Sequence, residues 1–319
     1  MIRRRKQAPS SGPGLKVIDW QVPARLQGPA RDRMVGRLLF LPFAFLMAAL
    51  AGYPIFWVLR ASFFQQGLLS TDRTFVWLDN FSWAVTSGEF WSSLLKSIYF
   101  AGGTVVVQVP IAFGIALMLQ QSFLMRGLLR NGATFTFILP MVVAALTFRF
   151  MFSDATGILA YYIRELNLPI AGSPFGSPAL AMPALILFNS WKNFPLLMLV
   201  FLAAIQSINT DLFEAAAIDG ASKWQAVRYV TIPQVLPVGI AIVTLRTIWA
   251  FNNFQVPFLL TQGGPFGITK TLPLLLYQTV FGSFEMGRGS AMAVMYVLVV
   301  LGVSFGYWRL LRWSEEKYG

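Results

Sequence analysis

The stretch DLFEAAAIDGASKWQAVRYVTIPQVLP, Asp211 to Pro237, is a polar island between two long apolar runs. Leu212 to Ile218 are good helix formers behind an acidic first turn, where Asp211 complements the positive end of the helix dipole. Gly220 supplies a sharp break, and Ser222 a cap for a second short helix. The spacing predicts a helix-turn-helix lying outside a bilayer. Its second half presents Trp224, Val227 and Tyr229 to Ile232 among Lys223, Gln225 and Arg228, an amphipathic surface that suits either another protein or lipid headgroups.

Outward from this island the chain reads as an integral membrane protein. Of its 319 residues 56% are hydrophobic and 12% charged, about half the charge of an average soluble domain, and the mean hydropathy is +0.62. A crossing needs roughly 20 apolar residues to pass about 30 Å of hydrocarbon. Six runs qualify: Leu38 to Leu59, Leu94 to Leu119, Thr134 to Phe152, Leu180 to Leu202, Val235 to Phe254 and Ala291 to Leu311. The expected architecture is therefore all-α with six transmembrane helices. A basic arm over residues 1–37 precedes the membrane domain 38–311, the polar island forms a loop over 206–234, and a short tail covers 312–319.

Basic loops stay on the cytoplasmic face, so the Lys and Arg count sets the orientation. Sixteen fall in the N-terminal arm, around Arg126 and Lys223, and in the tail; five (Arg60, Arg73, Arg164, Lys270, Arg288) fall on the other side. Both termini are expected in the cytoplasm, with the Pro- and Gly-containing arm lying against anionic lipid rather than nucleic acid. About 37 polar residues precede the first apolar run and no small-x-small site follows it, which argues against a cleaved signal peptide.

The sequence holds no His and no Cys, which excludes imidazole catalysis, thiolate chemistry, disulfides and nearly all transition-metal sites. Without clustered acids, no enzyme constellation can be assembled. The 13 acidic residues all fall in loops, termini or span ends, which removes the membrane-embedded acids that proton or sodium coupling needs. Gly263 to Thr271 is not a phosphate loop, because Ile268 and Thr269 separate Lys270 from the last Gly and Pro265 removes an amide. Gly302 and Gly306 form a GxxxG pair on the last span, a weak sign of close packing.

Charged side chains at membrane depth are costly and face a cavity or a partner. Arg149 can snorkel to the interface from the end of the third span, whereas Lys192 and Arg246 lie half-way along theirs. Arg246, Trp249 and Asn253 follow at one-turn spacing and share a helical face. An indole plane, an amide and a guanidinium suit a sugar, whose ring stacks on aromatics while its hydroxyls take hydrogen bonds. The two cations either contact cargo or brace helices.

Glu214, Ala215, Ala216, Asp219, Gly220 and Ala221, then Ile232-Pro233 and Pro237, resemble the EAA coupling loop of ABC importer permeases. The similarity extends over spans two to six. Trp191 to Pro195, Phe251 to Phe254, Leu260 to Pro265 with Thr269 and Thr271, and Phe284 to Gly287 are similar to elements of the carbohydrate permeases of the maltose type, and of their MalF-like subunit in particular. The resemblance implies a type I importer permease in a prokaryotic cytoplasmic membrane. It also implies a second, MalG-like permease, two ATP-binding subunits that hold ATP and Mg, and an external solute-binding protein. No cofactor or ATPase site is expected on this chain. Matched through these motifs, the family's sugar-contacting positions fall on Lys192, Asn193, Leu196, Arg246, Trp249, Ala250 and Asn253, and its ATPase-coupling positions on Glu214, Ala215, Asp219, Gly220 and Trp224. Three departures stand out: Gln255 where an acid is frequent, Leu196 where an aromatic is, and Val227 and Tyr229 where Phe is. A neutral or mixed oligosaccharide is the expected cargo, with an anionic solute such as a phosphorylated polyol as the rival and an ion-coupled secondary transporter a more distant one.

Overall fold

The structure, a computed structural model, describes residues 29–166 and 173–318, so most of the basic arm lies outside the described residues. Two packed units divide the chain, Met1–Phe56 and Trp57–Gly319. Among the described residues five helices are long and apolar enough to cross a membrane: Gly36–Ala61, Gly88–Gln120, Ala181–Gln206, Lys223–Phe251 and Met286–Ser314. A sixth crossing is possible as a bent pair, Arg126–Ile138 with Met141–Met151.

The first apolar run is built from α1 (Pro29–Met47), a π turn (Ala48–Gly52) and α2 (Tyr53–Ala61). Residues from Pro29 on, inside the segment that the sequence assigns to the arm, are thus helical. A second π turn, Val227–Thr231, joins α10 (Lys223–Ala226) to α11 (Ile232–Phe251). Each of these π turns is followed two residues on by a proline, Pro54 and Pro233. A proline has no amide to give to the preceding turn, and a widened turn accommodates the loss without ending the helix. The second half of the polar island is therefore not a separate helix, as its composition suggests, but the first turns of the fifth span.

A short hairpin of β1 (Phe64–Gln66) and β2 (Arg73–Phe75) follows α2, pairing Phe64 with Phe75 and Gln66 with Arg73. Then come α3 (Asp79–Thr86) and the long α4 (Gly88–Gln120), which starts at Ser87, whose hydroxyl accepts from the Phe90 amide. Where the third span is expected, over Thr134 to Phe152, the structure has a bent pair of helices. Residues 126–151 form α5 (Arg126–Ile138) and α6 (Met141–Met151), bent by 96° at Leu139-Pro140. Pro140 withholds an amide and holds Leu139 extended at ψ 133°, so the helix cannot run straight through.

Beyond α7 (Ile158–Glu165), α8 (Ala181–Gln206) makes its most extensive contact with α4. Small residues permit it: Ala101, Ala112 and Ala116 are buried, and a Cβ on Gly103 would stand 2.6 Å from Ile186 Cδ1. α9 (Thr210–Ile218) carries the first half of the polar island. The fifth span stops at Phe251 rather than Phe254, and the chain turns into α12 (Gln255–Leu260), α13 (Leu272–Tyr277) and α14 (Met286–Tyr318). α14 absorbs both the last span and the tail. Nothing lies within 4 Å of a Cβ on Gly302 or Gly306, so within the described residues this pair packs against no neighbour.

Candidate cargo site and coupling loop

In the first half of α8, Asn189 is completely buried and joins three elements. Its Nδ2 donates to Thr104 Oγ1 of α4 at 3.4 Å, and its Oδ1 accepts from Asn193 Nδ2 at 2.9 Å and from Asn253 Nδ2 at 3.1 Å. Asn253 Oδ1 in turn accepts from the Val256 amide at 2.9 Å, which starts α12 where α11 has ended. Beside this amide cluster Ser190 Oγ donates to the Thr104 carbonyl and Gln108 Nε2 to the Ser190 carbonyl. Every group here is neutral and hydrogen-bonded, the condition under which polar atoms stay stable in a packed helix interface.

The two cations expected near this cluster have different surroundings. Arg246, 4% exposed, donates from Nε to Gln108 Oε1 at 3.3 Å and lies 5.7 Å over the Trp249 ring. Lys192, also 4% exposed, points to another helix: Nζ donates to the Phe137 carbonyl of α5 at 3.0 Å and sits 5.5 Å from that residue's ring. Trp249 is 49% exposed, Leu196 half-buried and Ala250 buried. The structure thus links Asn193 with Asn253 through Asn189, and Arg246 with Trp249 directly; it does not bring Lys192 to either group. Arg149, on the exposed face of α6, donates to the Leu259 carbonyl at 3.4 Å. Trp191 packs against Phe148 and Phe188 beside an apolar cavity of about 430 Å³. Asn189 is visible in the sequence as part of a polar knot, but Thr104 and Gln108 are not, since no local pattern ties α4 to α8.

The polar island is a doubly capped corner. The Asn209 side chain accepts from the Asp211 amide at 3.1 Å to start α9. At the other end the Gly220 amide reaches the Ala217 carbonyl and the Ala221 amide the Ala216 carbonyl, with Gly220 at φ +76°: a Schellman stop that needs the left-handed conformation. Ser222 and Gln225 then close a reciprocal capping box, 2.7 Å and 3.3 Å. Glu214, Ala215 and Asp219 are exposed, as is Trp224 at 69%. Ile218, which the sequence reading leaves inside a helix, is 87% exposed at the corner beside Gly220.

Residues 108–318 match the family described as the binding-protein-dependent transport system inner membrane component. The chain belongs to that family. This permease is 28% identical over 289 residues to the trehalose/maltose transport system permease protein MalF of Thermococcus litoralis, covering 90% of this chain and 96% of that one. It is 29% identical over 282 residues to the inner membrane ABC transporter permease protein YcjO of Escherichia coli K12, covering 88% and 94%. Its fold matches a chain of a bacterial ABC transporter involved in import of the acidic polysaccharide alginate, with TM-score 0.77 at 20% identity over 89% of this chain and 96% of that one. It also matches a chain of a bacterial alginate ABC transporter in complex with an alginate pentasaccharide-bound periplasmic protein, TM-score 0.76 at 20% identity over 87% of this chain and 93% of that one. The permease thus has the type I importer fold expected from its motifs, and it is a multi-pass membrane protein.

Proposed function

We propose that this permease carries a carbohydrate through a prokaryotic cytoplasmic membrane as the membrane subunit of an ATP-driven importer. The observation that carries this reading is the pair of partly exposed amides Asn193 and Asn253, joined through the buried Asn189 near the end of the helix that presents Arg246 and the half-exposed Trp249. Amides offer both donors and acceptors to hydroxyls, and an indole offers a stacking plane. The names of the relatives, trehalose and maltose among them, point to the same class of cargo. An external solute-binding protein hands the sugar over, a second permease completes the pathway, and two separate subunits bind ATP and Mg. Both termini and the 206–234 loop face the cytoplasm. There Glu214, Ala215, Asp219, Gly220 and Trp224 form the knob that docks on an ATPase subunit, and Ile218 extends it.

The test is uptake of labelled sugars by the reconstituted complex. Transport that needs ATP and the binding protein, and that falls in a Trp249→Ala, Asn253→Ala double variant that still assembles, supports the reading. Normal transport by that variant would place the cargo path elsewhere, and ATP hydrolysis by the purified chain alone would overturn the division of labour.

A further inference from the structure

Arg246 carries a positive charge that no acid among the described residues answers. It is 4% exposed, and its Nε is taken by Gln108 Oε1, a neutral acceptor at 3.3 Å. No hydrogen bond from its two terminal nitrogens is formed within the described residues. The ion pairs found there, Lys270 with Glu89 and Arg288 with Glu285, lie elsewhere in the fold. Lys192 is as deeply buried but differs in kind, because its ammonium meets a carbonyl at the C-terminal end of α5, where the helix dipole is negative. A buried charge without a counter-charge is strongly unfavourable unless something from outside supplies one. Arg246 is also already oriented. With Nε anchored by Gln108 and the Trp249 ring alongside, its terminal nitrogens form the planar fork that takes a carboxylate through two parallel hydrogen bonds.

We propose, resting on the carbohydrate reading of this site, that the cargo is an acidic saccharide whose carboxylate occupies the Arg246 fork. Its ring lies on Trp249 and its hydroxyls reach the partly exposed amides of Asn193 and Asn253, which the buried Asn189 holds in place. Arg246 is five residues from the end of α11 at Phe251, roughly 7.5 Å at helical rise, with Asn253 just beyond that end, a separation that a disaccharide bridges. This choice departs from the neutral cargo favoured by the sequence, where the Gln108 partnership that leaves Arg246 without an acid cannot be read.

The experiment is direct binding to the purified complex of both permeases and both ATPase subunits. The probes are a uronic-acid disaccharide, the same disaccharide with its carboxyl reduced to the alcohol, and glycerol phosphate. The acidic disaccharide should bind about tenfold or more tightly than its reduced counterpart. Arg246→Gln should abolish that preference, and Arg246→Lys, a point charge without the fork, should keep part of it. Equal binding of the two disaccharides, or a preference that survives in Arg246→Gln, overturns the acidic cargo and leaves the carbohydrate reading intact. Binding of glycerol phosphate alone, or of none of the three, overturns both. If Arg246→Gln does not assemble, the wild-type ratio together with Arg246→Lys decides.

Discussion

Lys192 of α8 donates from Nζ to the Phe137 carbonyl, 3.0 Å away and one residue before the end of α5. That oxygen is among the last four that any helix leaves without an amide partner. Continuing the helix would bring it the amide of Met141, but Pro140 bends the chain by 96° and Met141 heads α6 instead. A cation from the neighbouring span therefore closes the break, and in this conformation the ammonium is occupied in bracing.

Replacing Lys192 by Met should consequently destabilise the complex more than it alters cargo affinity. Loss of a charge-assisted hydrogen bond and the orphaned carbonyl together amount to about 2 to 3 kcal/mol. Thermal unfolding of the complex in detergent, read beside the KM for uptake, separates the roles: a lower Tm at unchanged KM marks bracing, whereas a raised KM at unchanged Tm marks cargo contact.

Gly220→Val should damage coupling. The residue sits at φ +76°, where a β-branched side chain is strained by about 1 to 3 kcal/mol, and nothing crowds its Cβ, so the backbone conformation alone is tested. Cargo-stimulated ATP hydrolysis should be lost or the ATPase subunits should dissociate, as measured by activity and co-purification. A variant that assembles and transports normally would remove the corner from the coupling path.

Trp249→Ala should weaken transport while sparing assembly, because the ring is half exposed and lies alongside the Arg246 guanidinium. A lost stacking plane of about 1 to 1.5 kcal/mol corresponds to a rise of roughly tenfold in KM. Asn253→Ala should cost more than its one amide suggests, since Asn253 both meets Asn189 and caps Val256. Its Tm should fall as well as its uptake.

Gly103→Val should overpack the α4 to α8 interface by about 1 to 3 kcal/mol, and Ile186→Ala in the same chain should recover part of the loss. A double-mutant cycle on Tm measures the coupling. Additive effects would show that the two helices do not meet at this point.

The membrane class, the long apolar runs and the corner at Gly220 were legible because they depend on local properties: apolar length, a residue able to adopt positive φ, and cap residues at fixed offsets. The same locality leaves two features unread. Apolar length over Thr134 to Phe152 hides the bend that Pro140 imposes, and the polar composition of Lys223 to Arg228 hides a helix that a π turn carries into the fifth span.

The candidate site divides along the same line. The sequence by itself determined which polar side chains fall within or at the end of an apolar run, Lys192, Asn193, Arg246 and Asn253 among them, because the hydrophobic run around each is visible without a fold. Only the tertiary structure decided what each one meets. Gln108 reaches Arg246 across 138 positions of sequence, and Asn189 reaches Thr104 across 85 and Asn253 across 64. Those pairings follow from how closely α4 approaches α8, and small side chains such as Gly103 set that distance jointly with the residues opposite them. A contact between two helices is a property of both surfaces at once, and neither segment specifies it alone.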